Sequence, residues 1–176
     1  MKKTLFLLLV ASSLLASAQN SKPVTLRSNL LEQLHTTHDQ KDWFVPIDVA
    51  VQGITADQAN WKDSSGNHSV GQLTYHLLFW NRRELRKFRG EPEEKFSGNN
   101  DETFDKFDKQ SWSNTVKQLD EVMTQLEKFV ESADDATLQK FAPEIARIGT
   151  HNAYHIGEIV FVRKAQGSWN PQNGVK

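Results

Sequence analysis

The chain contains no cysteine, which excludes disulfides, thiolate metal ligands, a cysteine nucleophile and a lipid-modified cysteine at a cleavage site. Stability must come from packing, with help from a metal ion if one is bound. An excess of basic charge is missing too: 21 Lys and Arg stand against 22 Asp and Glu, a formal net charge of −1. That balance leaves no footprint for nucleic acid, and the one basic cluster, Arg82, Arg83, Arg86, Lys87 and Arg89, reads as a solvated helix face. No apolar run reaches the ~20 residues that a membrane-spanning helix needs. No stretch alternates for long enough to make a strand, no internal repeat is visible, and neither a phosphate-cradling glycine loop nor a nucleophile motif stands beside the histidines discussed below.

The first residues carry a destination signal. Lys2 and Lys3 make a basic start, Leu5 to Leu15 is apolar except for Ser12 and Ser13, and Ala16-Ser17-Ala18 is a small-residue cleavage signature. This pattern predicts a secretory signal peptide over residues 1–18. Residues 19–176 then form a single mature domain, exported to the periplasm or the exterior and without a membrane anchor once the signal is cleaved. Losing the two lysines makes its charge slightly more negative.

Within that domain the periodicity is helical. Leu26, Leu30 or Leu31, Leu34 and His38 fit a first helix between Pro23 and about Asp42, and Pro46 interrupts the apolar piece that follows it, Trp43 to Val51. Thr55 suits a short capped turn, and residues 63–68 read as a loop. Ser69, with Gln72 three residues on, forms a capping box for a helix running to about Arg89, stopped by Gly90 and Pro92. Trp112, Val116, Leu119, Met123, Leu126 and Val130, spaced 4, 3, 4, 3, 4, give the clearest helix in the chain. Ser132 to Gln139 reads as a polar turn or short helical link, and Pro143 as the first turn of a last helix ending near Gln166. Four amphipathic helices predict an all-α four-helix bundle. The connection from Gly90 to Lys109, with scattered Phe96, Phe104 and Phe107, is long enough to cross the bundle as a strap or a lid, which favours an up-down-down-up topology.

His151 and His155 stand four residues apart on the last helix, so their imidazoles project from one face a turn apart, among Ile148, Ile159 and Val162. His76 occupies a similar apolar stripe on the second helix. Divalent ions accept neutral imidazole nitrogens, and three protein ligands with one open position make a site able to activate water. Hydrogen-bonded core histidines are the alternative reading of the same pattern. His38, on the inner side of the first helix, is a candidate to line the site, as are Trp80 and Tyr154. His35 reads as exposed and His68 as a loop residue. Arg163 could meet a substrate anion or the end of its own helix.

The residues Gly66-Asn-His-Ser-Val-Gly-Gln-Leu-Thr-Tyr-His-Leu-Leu-Phe-Trp80 and His151-Asn-Ala-Tyr-His-Ile-Gly-Glu-Ile159 resemble the motifs of DinB-like proteins. Asp42-Trp-Phe-Val-Pro46, Gly53-Ile-Thr-Ala-Asp-Gln-Ala59 and Arg163-Lys-Ala-Gln-Gly-Ser-Trp169 extend the resemblance over most of the mature chain. It implies a four-helix bundle holding one divalent ion, zinc or nickel, through His76, His151 and His155, and a homodimer is among the oligomeric states it allows. Glu158 stands where glutamine is frequent in the family; near His155, it is a candidate orienter of that ligand or a general base acting on metal-bound water. The expected function is a metal-dependent hydrolase acting on a small molecule. The alternatives are a thiol-dependent transferase, made less favourable by export, and a bundle that binds metal or a small ligand without catalysis.

Overall fold

The computed structural model describes residues 23–174; the signal peptide expected at 1–18 lies outside them. All regular structure among these residues is helical. Thr25 caps α1 (Leu26–His38) through a reciprocal box with Ser28, satisfying amides that the first turn leaves without partners. Pro46 ends the following extended segment and opens α2 (Ile47–Val51), and Thr55 with Gln58 caps α3 (Ala56–Asn60). The box of Ser69 and Gln72 starts α4 (Val70–Phe88) as the sequence predicts. Gly90 stops it at φ +68°, a conformation without steric penalty only for glycine. After the strap come α6 (Trp112–Ser132) and α7 (Asp135–Ala165), with α5 (Glu102–Asp105) a single turn inside the strap.

The last helix differs from its sequence-based expectation. It begins at Asp135, capped by Asp134, and Pro143 lies inside it. Proline removes one backbone bond and disfavours the helical region for Ala142, at a cost of roughly 3 kcal/mol. What offsets this is packing of the turns before it: Leu138 is buried, and the Phe141 ring lies 4.8 Å from Phe88 and 6.2 Å from Phe129. Each buried side chain of this size contributes roughly 1.5–3 kcal/mol, so the tertiary term outweighs the local one.

Four long helices make the bundle, α1 and α4 each packing on both α6 and α7. Arg27, at the start of α1, donates to Val130, Glu131 and Ala133 at the end of α6, while His38, at the other end of α1, meets Asp120 and Glu127. These two helices therefore run antiparallel. Arg82 meets Gln118 and Arg89 meets Gln125, so α4 and α6 run the same way and the strap between them must cross the bundle. Leu34, Leu77, Leu119, Leu126, Ile145, Ile156 and Ile159 fill the centre. No helix among the described residues is long and apolar enough to cross a membrane.

The strap is packed down. Phe96 sits 5.2 Å from Phe79 and 5.6 Å from Trp80, α5 buries Thr103 and Phe104, and the Phe107 ring lies against Gly71. A Cβ at Gly71 would stand 2.2 Å from Phe107 Cζ, far inside contact distance, so α4 carries no side chain where the strap crosses it. Gly71→Ala is expected to destabilise by about 1–3 kcal/mol, because overpacking forces ring or backbone to move. A thermal melt should show the drop, roughly 2–4 °C per kcal/mol for a chain of this size; an unchanged midpoint would mean that Phe107 does not seat there.

Candidate metal centre

His76 projects from the middle of α4, and His151 and His155 from successive turns of α7, the helix that faces it. Below them Asn81 and Asn152 exchange amide bonds, Asn81 Nδ2 donating to Asn152 Oδ1 at 2.8 Å and Asn152 Nδ2 to Asn81 Oδ1 at 3.2 Å. Both are buried. A fully paired amide couple in a core tolerates no sliding, since any shift leaves polar groups without partners, so it fixes the register that brings the histidines opposite one another.

One ring nitrogen from each histidine lies within 4.8 Å of the other two. His76 Nε2 and His151 Nε2 are 3.1 Å apart, close to the roughly 3.3 Å that separates two nitrogens bound at about 2.0–2.1 Å in a tetrahedral site. For His76 and His155 the other nitrogens settle the tautomers. Thr103 Oγ1 gives its proton to the Asn100 carbonyl at 2.6 Å and lies 2.5 Å from His76 Nδ1, so it accepts the Nδ1 proton and leaves Nε2 with a lone pair. Glu158 Oε2 lies 2.6 Å from His155 Nδ1; a carboxylate can only accept there, so His155 Nε2 is likewise free for an ion. Burial first, then the charges of His155, His151 and His68, push the His76 imidazolium down to about 3. Burial followed by His155 pushes His151 down to about 4, and burial lowers His155 while Glu158 opposes it. All three are neutral at pH 7, the form that ligates. The residues therefore fit a divalent ion in donor type, spacing and protonation.

Around the nitrogens the walls are aromatic. Phe104 is stacked between His76, at 4.0 Å, and His68, at 3.9 Å, which gives the loop histidine a packing role that composition did not suggest. On one side the centre opens into a cavity of about 660 Å³ lined by Trp80, Phe104, Ile148 and Tyr154. Toward its mouth stand Glu84, Lys87, Glu144 and Arg147, with Lys87 Nζ 3.6 Å from Glu84 and 3.8 Å from Glu144. Trp80 and Tyr154, the two aromatic candidates from the sequence, both border this cavity.

His38 does not line this cavity but points between α1 and α6, with Nδ1 2.7 Å from Glu127 Oε1 and Nε2 3.1 Å from Asp120 Oδ1. Its helical face was read correctly as buried; the neighbour it meets is α6. Arg163 is buried and donates to the carbonyls of Ala50 at 2.7 Å and Ser168 at 2.9 Å, so it ties α2 and the C-terminal turn to α7. Thr103 and the Asn81–Asn152 pair went unnoticed in the sequence. A polar residue at Asn152, on the inner face beside His151, was the one available signal.

The chain is an all-helical bundle in which three convergent histidines on two facing helices, backed by a hydroxyl and a carboxylate, form a cluster with the spacing to hold a metal ion. A family model of the DinB superfamily matches residues 47–161, a span that includes all three histidines, and the chain belongs to that superfamily. Neither the curated proteins nor the solved structures give a significant match.

Proposed function

We propose that the protein is an exported hydrolase that holds one divalent ion, zinc or nickel, on His76, His151 and His155 and acts on a small molecule in the adjoining cavity. The observation that carries this reading is the open side of the triad: three imidazole nitrogens converge, His76 and His155 are held from behind by Thr103 and Glu158, and a space of about 660 Å³ adjoins them. When bound there, such an ion supplies Lewis acidity and an acidified water. The chain's residues do the rest. Thr103 and Glu158 hold two imidazoles in the ligating tautomer, Phe104 and Trp80 exclude solvent from one flank, and the paired charges at the mouth orient a polar end of the substrate. Export is supported by the basic, apolar and small-residue segments over residues 1–18.

For Glu158, its bond to His155 Nδ1 favours orienting over general-base work, because that oxygen lies behind the ring, away from Nε2. Its side chain is 40% exposed. Glu158→Gln is expected to weaken metal affinity by about tenfold, the lower end of what a carboxylate behind a ligand contributes. Competition against a chromophoric chelator measures it; wild-type affinity in the variant would remove the role.

The function itself is tested by loading the tag-free protein with zinc or nickel and screening esters, amides and thiols with and without chelator. Metal-dependent ester or amide cleavage supports the reading. Metal-dependent consumption of a thiol would replace it with the transferase alternative, and tight metal binding with no turnover across the panel would replace it with a non-catalytic binder.

A further inference from the structure

A second set of metal-type donors sits on the other side of the bundle. The His38 side chain is only 4% exposed, and its two nitrogens are treated differently: Nδ1 lies against buried Glu127 at 2.7 Å, while Nε2 faces Asp120 at 3.1 Å. His38, Asp48 and Asp120 each offer one ligand atom, an imidazole nitrogen and two carboxylate oxygens, and the three lie within 4.8 Å of one another. This repeats the arrangement at His155, an imidazole held from behind by a glutamate so that Nε2 is presented forward. Here Nε2 faces the Asp120 carboxylate of α6, and the Asp48 carboxylate of α2 completes the group. Asp48 and Asp120 also border a groove of about 590 Å³ walled by Ile47, Val51, Trp112 and Leu119, which leaves one side open to water or a ligand.

Charge at this place is unbalanced. Asp39, Asp48, Asp120 and Glu127 gather around His38 and His35, and among the described residues no lysine or arginine forms an ion pair with any of the four; Lys117, on the same groove, pairs with Glu121 at 3.6 Å. His35 Nδ1 is buried without a hydrogen-bond partner, 3.4 Å from Glu127 Oε1.

We propose that His38, Asp48 and Asp120 form a second divalent-cation site, separate from the three-histidine centre, with Glu127 as the positioning residue behind His38. One imidazole and two carboxylates suit a manganese-type ion better than an all-imidazole set does. The cation balances the carboxylates of α2 and α6 and pins the short α2 helix to the bundle.

Manganese(II) is the probe. Protein given one equivalent of zinc is titrated with Mn(II) while free Mn(II) is counted by electron paramagnetic resonance, and His151→Ala is titrated in the same way without zinc, which would otherwise compete for the second site. One manganese per chain is expected in both, together with broadening of the His38 ring protons in the NMR spectrum. Asp48→Asn combined with Asp120→Asn, two positions at the edge of the groove, should abolish uptake. Glu127→Gln should weaken it about tenfold. The proposal is overturned by no uptake in wild type, by uptake that disappears in His151→Ala, by uptake that survives the double Asn variant, or by manganese that leaves the His38 ring protons sharp.

Discussion

Alanine at His155 is expected to lower the affinity for the divalent ion at the three-histidine centre by at least about a hundredfold. Losing a partner behind a ligand costs about 10–100-fold by itself, and His155→Ala removes the ligand and the purpose of Glu158 together. The bundle should survive, because the ring faces its two sister imidazoles and the cavity and leaves no hole in the leucine core. Two measurements separate binding from folding. Metal content after dialysis should fall from stoichiometric to near zero. The metal-dependent rise in melting temperature should vanish: an ion present at 100 times its dissociation constant stabilises the wild type by about 2.7 kcal/mol, and the variant gains none of it. His76→Ala should behave alike toward metal but also lower the metal-free melting point, since its ring is stacked on Phe104 at 4.0 Å. Stoichiometric metal at wild-type affinity in His155→Ala would refute the three-histidine centre.

What the sequence made legible is what local physics encodes. The apolar spacing of α6, the capped turn at Thr55, the capping box at Ser69 and the four-residue interval between His151 and His155 each depend on a few adjacent residues, and each appears in the structure. Features that depend on distant partners were hidden. Thr103 reaches His76 from a strap without periodicity, across a separation of 27 residues. The start of α7 looked like a link because Ser132 to Gln139 is polar and Pro143 suits the first turn of a helix, and only the Phe88–Phe129–Phe141 cluster, drawn from three helices, overrules that local signal. His38 shows the limit most clearly. Its helical face identified it as buried, but a face does not say which helix will cover it, and α1 touches α6 and α7 while the metal centre lies between α4 and α7.

That misplaced histidine should make the protein labile to alkali. In the folded chain the His38 imidazolium is held up to about 9 by Glu127, Asp120 and Asp48 against the opposing effect of burial, whereas its ordinary value is 6.5. Below pH 6.5 folded and unfolded chains both hold the proton, and the full advantage of the ion pairs is present. Between 6.5 and about 9 the folded chain keeps a proton that the unfolded chain has released, so stability falls steadily as pH rises. Above about 9 the contribution is gone. The span corresponds to on the order of 3 kcal/mol at most, because the carboxylates share it. The three centre histidines do not contribute to this slope: their folded values lie below 6.5, so above that pH they are neutral in both states. Urea midpoints of chelator-treated protein from pH 6.5 to 9 should therefore decline, and His38→Gln, which keeps polarity but cannot carry the charge, should start lower and stay nearly flat. A wild-type profile as flat as the variant's would mean that His38 is neutral between its carboxylates, and the charge imbalance argued for the second cation site would lose its proton counterpart. Added manganese should flatten the wild-type decline, since an ion seated on Nε2 supplies at pH 9 the positive charge that the departing proton removes.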